Sequence, residues 1–453
     1  MIRPKFYIIF LDLALALLSL ICAYLLRFGS VESLNMLLGG GVFRVFCYLS
    51  VVFLTSYFFD LYTYQLFSSR KYVVQRVLLA TVISFLILSA FFYILPSLRF
   101  WRGVLVLVLL FYAASQIALR LLIRKFSNVS MFANRVLIVG AGELAQSISE
   151  IVPNDRNIHS YVRFVSCTAK KPVVDPKLIV GDIKHIDELV QDYRPQKLII
   201  ALNERRGNLP LNMLMQSKLR GVEILDATTY YEEEKGCLLV ENMQPSVFIY
   251  THRFRMTSFM RSYKRIYDII FSVFGLILSA PLFPILALLI KRDSAGPVFF
   301  KQLRVGENEV EYFVYKFRTM AQDAEKGTGA VWAQERDPRV THIGQFLRKT
   351  RIDEIPQLIN VLKGDMSFIG PRPERMAFVE RLKETIPFYS TRHFVKPGVT
   401  GWAQVCYPYG ASDEDALEKL RYDLFYIKNY SIFLDFRIIL DTIRVVTSGF
   451  GGR

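Results

Sequence analysis

The chain has 453 residues and a formal net charge of +16. It is 52% hydrophobic with a mean hydropathy of +0.29, which excludes a purely soluble protein, and its length suits two or three domains. At this apolarity the basic balance speaks for an anionic membrane surface and against nucleic acid. Cys22, Cys47, Cys167, Cys237 and Cys406 are scattered without a CxxC pair, and the five histidines lack an HExxH spacing, which argues against a zinc site and a disulfide framework.

Four apolar segments open the chain: Phe6–Leu26, Val42–Leu61, Val77–Leu95 and Val104–Ile123. Each is long enough, or nearly so, to cross a hydrocarbon core about 30 Å thick at 1.5 Å per residue. The first lacks a small-x-small cleavage site and more spans follow, so it reads as a retained span and not a signal peptide. Arg3 and Lys5 precede span one. Arg70, Lys71 and Arg76 separate spans two and three, and Arg120, Arg124, Lys125 and Arg135 follow span four. The other two loops carry fewer basic residues, so both ends of the bundle are expected in the cytoplasm. Asp12, inside span one, is costly in lipid and is expected to face a helix partner.

Residues 134–230 read as alternating strands and helices. "NRVLIVGAGELAQSISEIV" (Asn134–Val152) is a strand, a glycine turn and a helix. "KLIVG" (Lys177–Gly181), "KLIIAL" (Lys197–Leu202) and "GVEIL" (Gly221–Leu225) follow as buried parallel strands of a Rossmann-like domain. Gly140 and Gly142 match the first two glycines of a dinucleotide fingerprint, but Ala145 stands at the third. The second strand, "YVRFVSCTAKK", ends without the acid that would bind a ribose hydroxyl. A structural or regulatory role is therefore favoured over cofactor binding. A membrane-bound NAD-dependent nucleotide-sugar dehydratase or epimerase, the first rival reading, needs a Tyr and a Lys four apart on a helix. The YxxxK spelling at Tyr193–Lys197 contains Pro195 and leads into a strand.

A fifth apolar run, "IIFSVFGLILSAPLFPILALLI" (Ile269–Ile290), is long enough to span. Its flanks are basic on both sides: Lys264 and Arg265 before, Lys291 and Arg292 after. Positive charge thus holds both ends in the cytoplasm, and Pro281 and Pro284 interrupt a straight helix. A helix that enters one leaflet, breaks near Pro281 and returns meets both conditions. A kinked spanning helix is the alternative.

Beyond Ile290 no long apolar span occurs, and the chain reads as globular and close to the membrane surface. It carries "SAGPVFFKQLRVG" (Ser294–Gly306) and "FVYKFRTM" (Phe313–Met320), then "ERDPRVTHIGQFLRKTRIDEIPQLINVLKGDMSFIGPRPE" (Glu335–Glu374) and "RHFVKPGVTGWAQV" (Arg392–Val405). Asp353 and Glu354 stand among Arg348, Lys349 and Arg351. On spacing alone this is a solvated helix face, with Arg351–Glu354 and Lys349–Asp353 pairs worth a few tenths of a kcal/mol. Arg372, between Pro371 and Pro373, fits a helix face less well. Trp332 and Trp402 read as packing or interfacial aromatics, and "SDED" (Ser412–Asp415) as a helix start.

By these motifs, Tyr263–Ile443 resembles the catalytic domain of the bacterial monotopic polyprenyl-phosphate phosphoglycosyl transferases. Four spans and a Rossmann-like domain ahead of it resemble the long form, which initiates exopolysaccharide, capsule or O-antigen synthesis. The resemblance implies a membrane protein of α plus α/β class. It would have a four-helix transmembrane bundle over 1–127, a Rossmann-like cytoplasmic domain over 134–230 and a linker over 231–257. The mixed α/β catalytic domain, 258–453, would carry a re-entrant helix at about 266–291 broken at Pro281. The family usually has Ser before that proline; here Ala280 stands there, with Ser279 one place earlier.

The implied reaction moves a sugar 1-phosphate from a UDP-sugar to polyprenyl (undecaprenyl) phosphate, with UMP leaving. The expected site is the cytoplasmic face of the bacterial inner membrane. Asp353 would be the nucleophile and Glu354 would hold Mg²⁺, an ion that prefers oxygen ligands and takes few protein carboxylates. Lys316, Arg318, Arg348, Arg351 and Arg372 are candidates for gripping phosphates. Lys396 occupies a position where the family expects a basic residue, and Asp423 resembles a further acid near the site. Asp337 and Arg339 are candidates for the nucleotide-sugar pocket. A homodimer in the lipid bilayer is compatible with the resemblance, and an inactive scaffold is the second rival reading.

Overall fold

Apolar windows about 20 residues long, free of proline, form helices at the amino terminus. In the computed structural model these are α1 (Pro4–Phe28), α2 (Val42–Phe58), α3 (Arg70–Ile94) and α4 (Val104–Phe126). The structure describes residues 4–29, 42–59, 61–62, 70–96, 100, 103–126, 135–151, 161–167, 172–202, 211–243, 256–322, 324, 337–407, 410 and 412–447. Arg3, Trp332 and the tail of the expected second strand (168–171) lie outside them, as do the side chains of Lys5, Arg70, Lys71, Arg124 and Lys125. Contacts divide the chain into two units, Met1–Leu225 and Asp226–Arg453.

Among the described residues of the first unit, three helical stretches are long and apolar enough to cross a membrane: Tyr7–Phe28, Val73–Ile94 and Val104–Ile123. The expected second span is shorter, because α2 stops at Phe58 after 17 residues. Its end is closed by turns from Thr55 and Ser56, and Arg76 Nη1 donates to Phe59 O at 3.0 Å. α1 packs on α2 and α4, and α3 packs on α2 and α4. Leu20, Tyr24, Tyr48, Leu88 and Val108 lie inside, whereas Phe10, Leu18, Phe46, Leu79 and Leu110 face outward. Asp12 faces a helix partner, as its placement in an apolar helix requires. Arg120 meets its Oδ2 at 2.7 Å, Gln116 donates to the same oxygen at 3.1 Å, and all three are buried. Arg120, expected among the charges that follow span four, is therefore spent on Asp12 inside the helices.

The same unit holds five strands, β1 (Arg135–Val139), β2 (Tyr161–Ser166), β3 (Ile179–Asp182), β4 (Lys197–Ile200) and β5 (Glu223–Asp226), in the order β3-β2-β1-β4-β5. The β1–β2, β1–β4 and β2–β3 pairs are parallel. Strands buried on both faces read as unbroken apolar runs, which is why β1 and β4 were legible. Helices α5 (Glu143–Ile151), α6 (Ile186–Tyr193) and α7 (Leu211–Leu219) connect them. Gly140 has φ +130°, and a Cβ there would lie 2.3 Å from Ala201 O, so the glycine is required by the turn itself. Around Gly142 there is open space, and Ala145 is buried. Tyr193 ends α6, Arg194 turns left-handed at φ +43°, and Lys197 begins β4, so the Tyr–Lys pair does not share a helix.

The second unit begins with α8 (Ala227–Lys235). The start of the expected linker is tied into this unit: Glu232 takes Lys428 at 2.5 Å and Asn429 at 2.7 Å, and Trp402 Nε1 donates to Gly236 O at 2.7 Å. Trp402 is buried, stacked on Phe425 and under Arg437, which is a packing position. α9 (Ser258–Ser279) and α10 (Leu282–Asp293) meet at 63° across Ala280–Pro281. Ser279 Oγ bonds back to Gly275 O at 2.7 Å, and Pro281 cannot donate, so the bend has two local causes. Pro284 sits in the first turn of α10, where no intrahelical donor is needed, and it adds no second break.

β6 (Phe299–Val305) and β7 (Glu311–Phe317) form an antiparallel hairpin, and β8 (Ser367–Ile369) pairs parallel with β9 (Gly398–Thr400). That second pair is unusually close, since a Cβ on Gly398 would meet Gly370 N at 2.1 Å. Around these strands stand α11 (His342–Lys349), α12 (Gln357–Lys363), α13 (Met376–Thr385), α14 (Trp402–Cys406), α15 (Asp413–Lys428) and α16 (Ile432–Thr447). Ser412 and Asp415 form a reciprocal capping box at the start of α15, as "SDED" foretold. The core runs through Val305, Ile369, Leu382, Trp402, Leu424 and Ile438.

Candidate active site

The turn that carries the acid pair is built by a short break between two helices. α11 ends at Lys349, Arg351 takes a left-handed φ of +58°, and a 3₁₀ turn (Ile352–Glu354) leads through Pro356 into α12. A left-handed conformation in a non-glycine residue costs about 1–2 kcal/mol, so packing must hold it. The turn points both acids inward: Asp353 is 7% exposed and Glu354 8%. This is not the solvated helix face that charge spacing alone suggests.

Glu354 collects cations from three segments distant in sequence or conformation. Arg372 Nη2 reaches its Oε1 at 2.9 Å, Lys316 Nζ at 3.1 Å and Arg351 Nη1 at 3.6 Å. Lys316 comes from β7. Asn360 locks β7 to α12, since its amide donates to Phe313 O at 2.6 Å and its oxygen accepts from Tyr315 N at 3.1 Å. Arg372 comes from the proline-bounded loop after β8. Burial works to raise the Glu354 carboxyl, but Lys316, Arg372 and Arg351 outweigh it and hold it well below the usual glutamate range.

Asp353 has the opposite balance. Burial, and next the Glu354 charge, push its carboxyl up to about 6 against the attraction of Lys316, Arg348 and Arg372. Its Oδ1 is buried with no hydrogen-bond partner. The surroundings thus push two neighbouring carboxyls in opposite directions, Glu354 down and Asp353 up. All three cations on Glu354 meet Oε1, and among the described residues no group of three or more His, Cys, Asp or Glu gathers for a metal. The donor set that remains suits an ion that takes one or two protein carboxylates and otherwise water and phosphate.

The other expected residues divide. Arg348 Nε donates to Thr319 Oγ1 at 2.9 Å, and its charge lies near both Asp353 and Asp337. Asp337 and Arg339 pair with each other at 2.6 Å, which holds the Asp337 carboxyl below its usual range. The two terminal nitrogens of Arg318 donate to Ala295 O at 2.8 Å and Ser294 O at 2.7 Å, securing the loop after α10, while its Nε is buried without a hydrogen-bond partner. Lys396 Nζ stands beside Gly364 with the Arg265 guanidinium. Asp423 is buried, its carboxyl pushed up to about 6 by burial, and it lies 2.8 Å from Arg392 Nη2. That same nitrogen donates to Arg372 O at 2.9 Å, so Asp423 reaches the acid pair through Arg392 and the Arg372 backbone.

Sequence reasoning missed Arg392, Asn360 and Gln404. Gln404 Oε1 accepts from Arg372 Nη1 at 3.1 Å. Arg392 and Gln404 lie in "RHFVKPGVTGWAQV", where motif density was the available signal. Nothing local distinguishes Asn360 from a surface asparagine. Also missed was the anchor of α9: Asp268 accepts from Ser367 Oγ at 3.0 Å and Phe368 N at 2.8 Å, fixing β8 ahead of the Arg372 loop.

Comparison with known proteins gives the family. Residues 259–449 match the family described as bacterial sugar transferase, and residues 57–225 match one described as CoA-binding domain. The chain is 31% identical over 354 residues to the UDP-glucose:undecaprenyl-phosphate glucose-1-phosphate transferase of Xanthomonas campestris pv. campestris, covering 73% of this chain and 71% of that protein. It is 50% identical over 190 residues to the UDP-N-acetylgalactosamine-undecaprenyl-phosphate N-acetylgalactosaminephosphotransferase of Aeromonas hydrophila. That similarity covers 42% of this chain and 45% of the relative, less than half its length. Similarity to the exopolysaccharide production protein PSS of Rhizobium leguminosarum bv. phaseoli is 44% over 185 residues, 40% of this chain and 92% of that one. The acid pair and its cations lie wholly inside the matched transferase segment, and the Xanthomonas similarity runs well beyond it: the chain belongs to the bacterial sugar transferases, the polyprenyl-phosphate phosphoglycosyl transferases.

Proposed function

We propose that this protein transfers a sugar 1-phosphate from a UDP-sugar to polyprenyl (undecaprenyl) phosphate and releases UMP, the first membrane step of exopolysaccharide, capsule or O-antigen synthesis. The observation that carries this reading is Asp353: buried, with an unpartnered Oδ1, beside a glutamate held charged by three cations. In the first step an Asp353 oxygen attacks the phosphorus that bears the sugar. The bond from that phosphorus to the bridging oxygen breaks, and UMP leaves with the bridging oxygen. In the second step a polyprenyl phosphate oxygen attacks the same phosphorus. The bond to Asp353 breaks, which regenerates the carboxylate and leaves a polyprenyl diphosphate sugar. Dividing one displacement into two is the gain of a covalent nucleophile.

A carboxylate approaching a diphosphate is repelled, and Lys316, Arg348, Arg351 and Arg372 lower that barrier with fixed positive charge. Glu354, with Asp353 beside it, would hold Mg²⁺, which supplies further neutralisation of phosphate oxygens. Chelation with EDTA should then stop UMP release and added Mg²⁺ should restore it.

The architecture supports a membrane reading. The four amino-terminal helices form a transmembrane bundle, the parallel sheet is Rossmann-like, and the bent α9–α10 pair is re-entrant, with its ends and the catalytic unit in the cytoplasm of a bacterial inner membrane. The outward Ile270, Phe274, Ile277, Leu278, Leu282 and Ile285 around the bend give it a lipid-facing surface. An impermeant thiol reagent should label an engineered cysteine at position 326 only after the membrane is opened; labelling from the outer face contradicts this orientation.

The relatives name different sugars, glucose and N-acetylgalactosamine among them, so the donor is a question for assay. The test is UMP release from lipid-supported protein with Mg²⁺, polyprenyl phosphate and a panel of UDP-sugars. Release with one sugar establishes reaction and donor together. No release with any donor overturns the reading.

A further inference from the structure

Gln404 lies in α14, inside the transferase unit. Its side-chain oxygen accepts a hydrogen bond from Arg372 Nη1 at 3.1 Å, and this contact orients the amide, because only the oxygen can accept from a guanidinium. The Nε2 group is consequently turned away from Arg372. It is buried and has no hydrogen-bond partner. The other end of the same guanidinium meets Glu354 Oε1 at 2.9 Å. One arginine therefore links Gln404 to Glu354, whose neighbour Asp353 has an Oδ1 that is likewise buried and unpartnered. Buried amide donors are rarely left open in folded proteins, and when one is, a missing acceptor explains it.

We infer that Gln404 Nε2 donates a hydrogen bond to an oxygen of the phosphoryl group being transferred, so that Gln404 is a substrate-contacting residue. This rests on the sugar transferase reading. The acceptor is assigned as phosphoryl oxygen because Arg372, the guanidinium that seats Gln404, also meets Glu354, on which Lys316 and Arg351 converge, and such a set of cations collects phosphate. The neutral amide differs from these cations in kind. It reads the position of an oxygen at a fixed angle and contributes little long-range attraction.

Two variants separate this role from mere seating of Arg372. Gln404→Glu keeps an oxygen for Arg372 and nearly the same shape, but replaces the donor with a second negative oxygen. Gln404→Leu removes both. Affinities for UDP and UMP are measured on the full chain in nanodiscs, together with kcat, KM and thermal unfolding. UDP carries the phosphate equivalent to the transferred group and UMP lacks it. The expected result for Gln404→Glu is unchanged unfolding, UMP affinity near wild type, and UDP affinity lower by about tenfold to a hundredfold, the size of one lost hydrogen bond to a charged group. Turnover falls with it. If Gln404→Glu keeps UDP affinity and turnover while Gln404→Leu loses them, the amide only seats Arg372 and the inference is overturned. If both variants behave as wild type, a buried water satisfies Nε2 and the inference is equally overturned. Wild-type protein that binds UDP but releases no UMP refutes the transferase reading, and the UDP-to-UMP affinity ratio of Gln404→Glu still decides the phosphate contact.

Discussion

Asp353→Asn removes the charge from the acid turn and keeps its shape. Burial, with Glu354 second, raises the Asp353 carboxyl from 3.8 to about 6, net of the attraction from Lys316, Arg348 and Arg372. At 1.36 kcal/mol per pH unit, keeping Asp353 ionised in the folded protein costs about 3 kcal/mol at pH 7. The folded pKa lies above the unfolded one, so the folded state binds the proton more tightly. Stability therefore declines as pH rises from about 4 to 6, and the full penalty stands above that. Glu354 is shifted the other way, and its own loss falls below its ordinary value of 4.5; Asp423, also pushed up to about 6, titrates in the same range as Asp353, so the difference between wild type and the asparagine variant is what isolates Asp353. The asparagine variant is expected to lose UMP release and to gain stability at pH 7, with Tm higher by about 2–4 °C per kcal/mol for a unit of this size. The gain should shrink as pH falls through 6. Thermal unfolding of both proteins in nanodiscs from pH 7.5 to 5, beside a UMP-release assay, measures all of this. A variant that is less stable at pH 7, or whose stability difference ignores pH, refutes the buried-carboxylate argument. One that releases UMP like wild type removes Asp353 as nucleophile.

The same carboxyl sets the acid limb of the rate profile: kcat/KM should fall tenfold per pH unit below about 6, and a limb near 4 would mean that Asp353 is not perturbed. Glu354→Gln leaves Lys316, Arg351 and Arg372 facing one another. Chemical denaturation should show a loss of about 2–3 kcal/mol, less than for a fully buried pair because Arg372 is 40% exposed. Asp12→Ala strands the Arg120 charge inside the amino-terminal helices and should cost about 3–5 kcal/mol in detergent unfolding, whereas Asp12→Leu with Arg120→Leu should recover most of it; a neutral single variant would refute the buried pair. Trp402→Phe loses the bond to Gly236 O, about 1 kcal/mol, and should open the segment after α8 to proteolysis before the rest of the unit.

Much of the site was legible because phosphate chemistry needs particular residue types, and "RKTRIDEIPQ" and "GPRPE" concentrate them. Lys316, Arg351 and Arg372 do converge on Glu354. The same reasoning placed Arg318 with them, although the two terminal nitrogens of its guanidinium meet the Ser294 and Ala295 carbonyls. An arginine in a motif announces a charge but not which oxygen, 20 or 100 residues away, will claim it. The burial of Asp353 and Glu354 was hidden for a related reason. Charge spacing predicts a helix face, while the left-handed Arg351 that turns the pair inward is an intrinsically unfavourable conformation that only surrounding packing can impose.

What the sequence determined by itself were the features governed by short windows of chain. They include the apolar helices, the buried strands around Gly140, the bend at Pro281, the capping box at Ser412 and the residues that mark the family. Each follows from hydropathy, backbone sterics or a side chain bonding its own neighbourhood, and none needs a distant partner. Tertiary structure decided the rest: that Asp12 would find Arg120, that Asn360 would tie α12 to β7, and that Gln404 would be oriented by the guanidinium gripping Glu354. Those contacts join residues 32 to 108 positions apart or pass through one that does. Their energies depend on burial and angle at about 3 Å, quantities that exist only after the chain has folded.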